Sequence, residues 1–510
     1  MLRFIRSDCT DRLADALIDT LAAQPLAPTP DALEPEWIVV PSAAVARYVQ
    51  QRIARRFGIA ADVQFTYPAA TLWALAARVV PGIAAESPFD PSSLTWRIYA
   101  LLDVLERGDA SDAALAPLAT YLDRTRDDPV ARMQLAQALA ELFDRYTTFR
   151  SDVWLAPWAR GELAAGPQLD APTQAWQAAL WRHIVAGLGL GQAPHPLERF
   201  RAALARDPRV REALPRRVRL FAVHALAPLY WQTYAALAEA IDVEIYHREP
   251  SAEYYGDLLP ERRIAALRAQ ANPLADVAES GNDVLASWGR QAIEQLDLAI
   301  ATGAWDASEE RHARRMGTSL LARVQRSVVE LDPRPDLAPA LDDAHDRSLV
   351  IHACTSLQRQ LEALHDDLLA RLDADPTLAP DDIAVFVPDI DAAAPMIDAV
   401  FGAMPAAIRL PYRMTGRAQP QADPLVAAFL ALLDLPRARF SAEAVAALLR
   451  VPACARRFGL DADAVERVVA LVADAGARWA LDAHDRARHG VPAQGRHTWT
   501  YALERLVLGA

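Results

Sequence analysis

Residues 36–57 have the form in which α/β proteins hold nucleotide phosphates: a short apolar run, a turn and an amphipathic helix. The run 37–40 is too short for a helix and predicts a buried strand. The helix after the turn 41–44 has an apolar face made of Val45, Val49, Ile53 and Phe57. A phosphate loop needs glycines, whose backbone approaches the phosphates, and a lysine that reaches them. The turn has neither, and all 53 basic positions of the chain are arginine. We therefore expect an ATPase-like frame that has lost its ATP site.

Other catalytic sites are also disfavoured. A nuclease site of the PD-(D/E)xK type needs a lysine, which the chain lacks. Asp389 and Asp391 follow a predicted strand and could hold Mg²⁺, but one Asp-x-Asp pair is a weak signal, and caps at a helix N-terminus are favoured. His352 and Cys354 share a strand face without further ligands at zinc spacing, which favours buried core residues. No catalytic residue or metal ligand is predicted.

A nucleic-acid surface is better supported by residue type. Arg47, Gln51 and Arg55 form a stripe on the helix opposite its apolar face. Aromatic residues lie nearby or in the following helical region, and arginine with aromatics suits a single strand, because guanidinium groups bind phosphate and rings stack on bases. The alternative is that these aromatics are core residues. They are Tyr48, Trp73, Trp96, Phe143, Tyr146 and Phe149.

The bulk composition predicts a cytoplasmic protein of several domains. The 510 residues are 52% hydrophobic, and no apolar run reaches the length of a membrane span. Three distant cysteines fit a reducing compartment. The net charge of −13 opposes general attraction to nucleic acid. Arginine clusters within residues 52–56, 209–219 and 311–315 are expected to be solvated faces or partner surfaces.

The elements that position these residues alternate between α/β and helical regions. Strands are predicted at 2–6, 37–40, 218–223 and 243–246, with helices at 11–21, 43–57 and 230–241. A proline-rich link covers residues 25–35, and residues 69–206 are helical throughout. After a linker at 332–336, a second α/β block has strands at 349–353 and 383–387. Helices then continue to the C-terminus, where the last one has no evident cap and the chain ends within a helical domain.

This layout matches the plan of superfamily 1 helicases, in which two RecA-like domains carry mainly helical insertions. The predicted fold is therefore α/β and helicase-like. Domain 1 is predicted to begin with residues 1–80, to carry a helical insertion at 81–214, and to end with its linker at 215–336. RecA-like domain 2 is predicted to start at 337–435, followed by a helical region at 436–510.

Spaced motifs along the whole chain resemble the RecC family, the gamma subunits of exodeoxyribonuclease V, over the N-terminal half of those longer proteins. The order and spacing of these motifs support the resemblance more strongly than any single motif does. The motifs are Phe57-Gly58-Ile59-Ala60-Ala61, Trp73, Leu142-Phe143-Asp144, Ala175-Trp176-Gln177, Leu180-Trp181, Leu285-Ala286-Ser287-Trp288-Gly289, Leu364-His365-Asp366, Asp375-Pro376-Thr377-Leu378, Leu410-Pro411-Tyr412 and His497-Thr498-Trp499.

The resemblance implies a non-catalytic scaffold in a complex with RecB-like and RecD-like motor subunits, which use ATP and Mg²⁺, whereas this chain binds no cofactor. The complex processes double-strand DNA ends for homologous recombination. This subunit would channel the 3′ single strand and recognise the Chi sequence. The alternative is an inactive helicase-like interaction protein without direct DNA contact.

By motif match, the Chi channel would include residues from the first strand-turn-helix and from the helical region. Tyr48 is added from the arginine–aromatic pattern above. The chain departs from its best-known relatives at Pro41, Ala43 and Arg47, where they carry amides and hydroxyls that contact base edges, so the sequence preference is expected to differ. The candidate DNA-binding residues are Pro41, Ala43, Arg47, Tyr48, Tyr67, Trp73, Glu141, Leu142, Asp144 and Arg150.

Overall fold

The computed structural model describes residues 1–23, 35–107, 112–126, 128–164, 170–190, 195–303, 305, 308–312, 317–416 and 423–509. These residues divide into two compact units, Met1–Val350 and Ile351–Ala510. The predicted linker at 332–336 precedes this division. Most of the predicted link at 25–35 and the arginines at 314 and 315 lie outside the described residues.

The first unit is built on one six-stranded parallel sheet with strand order β3-β2-β4-β5-β1-β6. The strands are β1 Leu2–Ser7, β2 Glu36–Val39, β3 Val63–Thr66, β4 Arg217–Phe221, β5 Asp242–Arg248 and β6 Glu309–Glu310. Four of them confirm predicted strands. The short edge strands β3 and β6 were not predicted from the sequence.

The helices, numbered in chain order, are α1 Thr10–Ala23, α2 Ala43–Phe57, α3 Pro68–Val79, α4 Pro91–Glu106, α5 Ala116–Arg124, α6 Pro129–Phe149, α7 Ala156–Ala159, α8 Ala171–Gly187, α9 Pro196–Arg206, α10 Pro228–Ala240, α11 Glu261–Ala269, α12 Leu274–Val277, α13 Asp283–Trp288, α14 Arg290–Ile300, α15 Leu320–Val329, α16 Ala338–Leu341, α17 Leu357–Ala374, α18 Ile390–Ile397, α19 Pro424–Asp434, α20 Ala442–Leu449, α21 Pro452–Arg457, α22 Ala462–Asp474, α23 Ala483–Arg488 and α24 Trp499–Leu508. None of the described helices is long and apolar enough to cross a membrane.

Helices cover both faces of the sheet, which explains why its strands are apolar at successive positions. Trp37 and Val39 face a core shared with α3, α9, α10 and α14. Ile38 and Val40 face a second core shared with α1 and α2, where Val49 and Ile53 are buried as predicted. Phe57, the last residue of α2, is exposed instead. A third core lies within the helices between residues 89 and 190.

The second unit contains no strand among its described residues, so the strands predicted at 349–353 and 383–387 are wrong. Both segments lie outside regular structure and have no ladder partner among the described residues. The prediction used apolar content alone, but a strand also requires a neighbour for its backbone groups. Two apolar clusters hold the unit together, one on α17 and α18 and one near α24.

Two local predictions in the second unit also need correction. His352 is exposed and Cys354 is half-buried, so neither is a core-strand residue. Helix α24 does have caps: Thr498 begins it, and Gly509 ends it with a left-handed backbone whose N–H donates to the carbonyl of Arg505.

Candidate nucleic-acid interface

A small cavity of about 180 Å³ lies where strands β2 and β3 end and helix α2 begins. Ser42 begins α2 by accepting a hydrogen bond from the N–H of Val45, and this places Ala43 and Arg47 along the cavity. Arg47 makes no hydrogen bond or ion pair with a described residue, so its guanidinium is available to a ligand. Pro41 is exposed in the preceding turn and does not line the cavity.

A larger cavity of about 560 Å³ adjoins the first, because Tyr67 lines both. Helices α3 and α6, the segment before α4 and the start of α10 surround it. Three residues predicted for the channel meet here: Tyr67, Trp73 and Asp144. The cavity is formed by elements that lie far apart in the sequence. Tyr67 is about half exposed, so its ring is accessible to a base.

Trp73 lines this cavity as a core residue. It is only 4% exposed and belongs to the core of the first sheet face. Its ring lies 5.8 Å from that of His195, which stacks on Phe89 at 5.5 Å. Burial, and then Arg201, lower the pKa of His195 to about 3, so its imidazole is neutral and accepts a hydrogen bond from the N–H of Leu197. The structure thus favours the core alternative for Trp73.

The charged groups that line the larger cavity are acidic. They are Glu86, Asp90 and Asp144, and no arginine occurs among its described lining residues. Burial raises the pKa of Asp144, and the neighbouring Asp90 carboxylate raises it further. Burial also raises the pKa of the Tyr230 hydroxyl across the cavity. Such a cavity repels phosphate and suits groups that donate hydrogen bonds, whereas the adjoining Arg47 cavity suits a phosphate.

Four further candidate residues lie outside both cavities. The Tyr48 hydroxyl donates to Asp11 Oδ1 at 2.5 Å and joins α2 to α1. Glu141 forms an ion pair with Arg145 at 3.9 Å on the surface of α6. Leu142 is half-buried on the same helix. Arg150 donates to the carbonyl of Phe149 at 3.0 Å and lies 5.7 Å from the Trp154 ring.

The aromatic residues proposed for stacking also separate by environment. Phe143 is fully buried, and the hydroxyl of half-buried Tyr146 donates to Gln177 at 3.0 Å, so both are structural. Trp96 and Phe149 are more than half exposed but line neither cavity. Accessible stacking surface at the cavities therefore comes from Tyr67.

Sequence reasoning missed several residues that line the larger cavity, namely Asp90, Thr147, Thr148, His195 and Tyr230. Asp90 and His195 each precede a proline and begin a helix, a signal that the sequence does carry. That signal locates a helix start but not its spatial neighbours. These residues meet only because α9 and α10 pack on α3, while α6 packs on both α4 and α10.

The interpretation of Asp389 as a cap at a helix N-terminus is confirmed. Its carboxylate accepts a hydrogen bond from the N–H of Ala392 at 3.0 Å and begins α18. No group of three or more metal-ligating side chains occurs within the described part of the chain.

Comparison with known proteins agrees with the motifs. Residues 2–331 match the family model described as RecC, N-terminal domain, and residues 422–510 match the RecBCD enzyme subunit RecC fourth domain. Several relatives carry the name RecBCD enzyme subunit RecC. The one from Escherichia coli strain K12 is 35% identical, and the match covers 100% of this chain and 48% of the relative. The one from Haemophilus influenzae is 30% identical, and the match covers 94% of this chain and 46% of the relative. The Mycobacterium tuberculosis H37Rv relative is 30% identical over 100% of this chain and 46% of its own length. The chain thus spans about half the length of these relatives, and it belongs to the RecC family.

Proposed function

We propose that this chain is a non-catalytic, DNA-handling scaffold subunit of a RecBCD-type helicase and exonuclease that processes double-strand DNA ends for recombination. It would channel the 3′ single strand and recognise a Chi-type sequence, while RecB-like and RecD-like partners use ATP and Mg²⁺. Family membership supports the role within such a complex. The observation that carries the DNA contact is the pair of adjoining cavities joined by Tyr67.

The two cavities differ in the part of a nucleotide that they suit. Arg47 presents a cation beside Tyr67, which fits a phosphate next to a stacked base. Asp144 and Asp90 present carboxylates, which accept hydrogen bonds from the exocyclic amines of cytosine or guanine. The arrangement therefore favours a strand whose phosphate lies at Arg47 and whose amine-bearing base enters the acidic cavity.

Arg47→Ala tests the phosphate contact in the full complex. We expect weaker binding of single-stranded oligonucleotides of every sequence, with a salt slope lower by about one unit, because one phosphate contact is lost. Arg56→Ala is the matched control, since Arg56 is exposed on the same helix and lines neither cavity. Fluorescence anisotropy over a salt series measures both. A change in sequence preference without a change in slope would assign Arg47 to a base instead.

Asp144→Asn tests base reading. Replacing the carboxylate with an amide is expected to reduce the preference for amine-bearing bases over thymine by about 1–3 kcal/mol. Asp152→Asn is the control, because Asp152 lies outside both cavities. Competition between oligonucleotides that differ at one base measures the preference. An unchanged preference between bases would argue against base recognition by Asp144.

The alternative function, an interaction protein without DNA contact, is favoured by the net charge of −13 and the acidic cavity. Photocrosslinking from a DNA end bound to the assembled complex separates the two. Crosslinks at Tyr67 support the channel, whereas their absence supports the alternative. Co-purification with RecB-like and RecD-like subunits tests the assembly, and ATP turnover by the purified chain alone would contradict the non-catalytic role.

A further inference from the structure

A third cavity, of about 370 Å³, lies at the carboxyl ends of strands β4, β5 and β1. Strands β5 and β1 are neighbours, but the helices that follow them cover opposite faces of the sheet. Helix α1 follows β1 on one face, and α13 and α14 follow β5 on the other. Parallel sheets bind ligands in the crevice outside such a pair of strand ends. The cavity has the volume of a small-molecule site and shares no described lining residue with the Arg47 cavity or the acidic cavity.

His247, the sixth residue of β5, is a buried polar group on the wall of this cavity. It is 3% exposed, and neither of its ring nitrogens has a hydrogen-bond partner among the described residues. Val243 and Ile245 precede it at even spacing and belong to the core shared with α13 and α14, so its ring lies on the side of the sheet that these helices cover. A buried nitrogen without a partner costs about 1–3 kcal/mol, so a ligand that bonds to this ring would be stabilised.

Two further basic groups adjoin His247 and make this wall electropositive. Burial lowers the pKa of His224, which follows β4, and the Arg248 guanidinium lowers it further. Burial lowers the pKa of His247 to about 4, with further contributions from His224 and then from Arg6. These groups oppose one another's positive charge, and a bound anion would relieve that repulsion. Arg6 already donates to Glu249 at 2.8 Å, whereas the guanidinium of Arg248 makes no hydrogen bond or ion pair with a described residue.

The rest of the lining is apolar and aromatic. Trp288, at the end of α13, is 86% exposed, so its indole ring is accessible for stacking. Gln291 adds an amide, and Asp8 is the one acidic group among the described lining residues. Basic groups together with an exposed indole and aliphatic side chains suit an anion that is attached to a flat ring. The aliphatic side chains are those of Leu285, Ala292, Val324 and Val328.

We propose that this cavity binds a nucleoside-linked phosphate monoester, with its phosphate at His247 and Arg248 and its base against Trp288. The guanidinium and an imidazole N–H donate to phosphate oxygens, and Asp8 accepts from a sugar hydroxyl. A triphosphate is a poorer fit, because the loop between β1 and α1 consists of Asp8 and Cys9 and has no glycine to approach further phosphates. A free nucleoside monophosphate and the phosphorylated end of a DNA strand offer the same chemistry, so the two sources need separate probes.

Isothermal titration calorimetry of the chain with deoxyadenosine monophosphate tests the site. We expect saturable binding with a dissociation constant below about 1 mM, and binding at least about tenfold weaker for deoxyadenosine and for inorganic phosphate, because each of these engages only one part of the lining. A 5′-phosphorylated oligonucleotide that binds more tightly than its 5′-hydroxyl form would identify the DNA end as the source. Absence of saturable binding by both the monophosphate and the phosphorylated oligonucleotide would overturn the proposal, and so would equal affinity for deoxyadenosine and its monophosphate.

His247→Leu should weaken binding of the monophosphate by about tenfold while the chain stays folded, since the ring nitrogens bond to no described residue. Arg248→Ala should have the same effect and keeps the test valid if His247→Leu does not fold, because the Arg248 side chain is exposed. Arg56→Ala is the matched control, since Arg56 is exposed and does not line this cavity. Unchanged affinity in His247→Leu and Arg248→Ala would overturn the proposal.

Trp288→Ala separates the base contact from the phosphate contact. It should weaken binding of deoxyadenosine and its monophosphate alike and leave the binding of inorganic phosphate unchanged, because only stacking is lost. Trp96→Ala is the control, since Trp96 is also exposed but lies outside this cavity. Unchanged affinity of Trp288→Ala for the monophosphate would contradict the assignment of a base to this ring. The site does not depend on the proposed DNA channel, because Arg47→Ala should leave monophosphate binding unchanged even where it weakens binding of single strands.

Discussion

Trp73 is the candidate residue whose role the structure changes most. Its position in the core predicts that Trp73→Ala lowers the free energy of unfolding by about 3–5 kcal/mol, because a large ring is removed from packed surroundings. Tyr67→Ala should cost much less, since Tyr67 is about half exposed. Urea denaturation measures both. Full stability of Trp73→Ala with weakened DNA binding would restore the stacking interpretation.

Asp144 provides a pH-dependent test at the same cavity. Burial and Asp90 raise its pKa in the folded state, so its contribution to stability is present below its unfolded pKa and is lost as pH rises through the folded pKa. Asp144→Asn removes that loss. We therefore expect the stability of the variant relative to the native chain to increase as pH rises above about 4. Urea midpoints over a pH series measure this difference.

Asp170 provides a comparison, because its pKa is shifted in the opposite direction. Hydrogen bonds from Thr173 lower its pKa at the start of α8, so its contribution is present above its unfolded pKa and is lost as pH falls. Asp170→Asn should therefore lose relative stability as pH rises. Equal pH profiles of stability for the two variants would show that the cavity does not raise the pKa of Asp144.

At the scale of elements, a buried ion network joins the central strands. Arg219 on β4 is fully buried and donates to Glu36 on β2 and to Glu244 on β5, the latter at 2.7 Å. This position contradicts the expectation that its arginine cluster is solvated. The network lies on the sheet face covered by α1 and α2, because the neighbouring Leu220 faces the other core. The arginine thus neutralises two carboxylates that the sheet buries.

Removing this arginine should be strongly destabilising. Arg219→Met leaves Glu36 and Glu244 buried without their closest cation, and we expect a loss of about 3–5 kcal/mol in the free energy of unfolding. The triple variant Glu36→Gln, Arg219→Met, Glu244→Gln should recover much of that loss, because the two buried carboxylates are replaced by neutral amides. Chemical denaturation compares the three proteins. Equal losses for the single and triple variants would assign the cost to packing alone.

At the scale of the whole molecule, net charge governs the encounter with DNA. With −13 overall, the isolated chain should bind single-stranded DNA weakly, and its binding should fall steeply with added salt, because phosphate contact would depend on local cations such as Arg47. Anisotropy titrations from low to physiological salt check this expectation. Tight binding that is insensitive to salt would show that the chain binds DNA without help from partners.

The family, four of the strands and most helices of the first unit were predictable from local patterns. Buried parallel strands such as β2 and β4 are continuous apolar runs, and helices such as α2 carry a regular apolar face and recognisable ends. The missing phosphate-loop residues could also be recognised directly in the sequence. These features depend on residues near one another in the chain.

Tertiary structure alone decided the rest, because pairing and burial involve residues far apart in sequence. The weakly apolar segment 63–66 became strand β3 because β2 lies beside it, whereas the more apolar segment 383–387 found no strand partner among the described residues. Likewise, Tyr48 and Tyr67 have the same side chain, but packing directs one to Asp11 and the other to the cavities. Sequence determined which segments could form strands and which side chains could line a cavity, and the packing of distant segments determined which of them have the neighbours to do so.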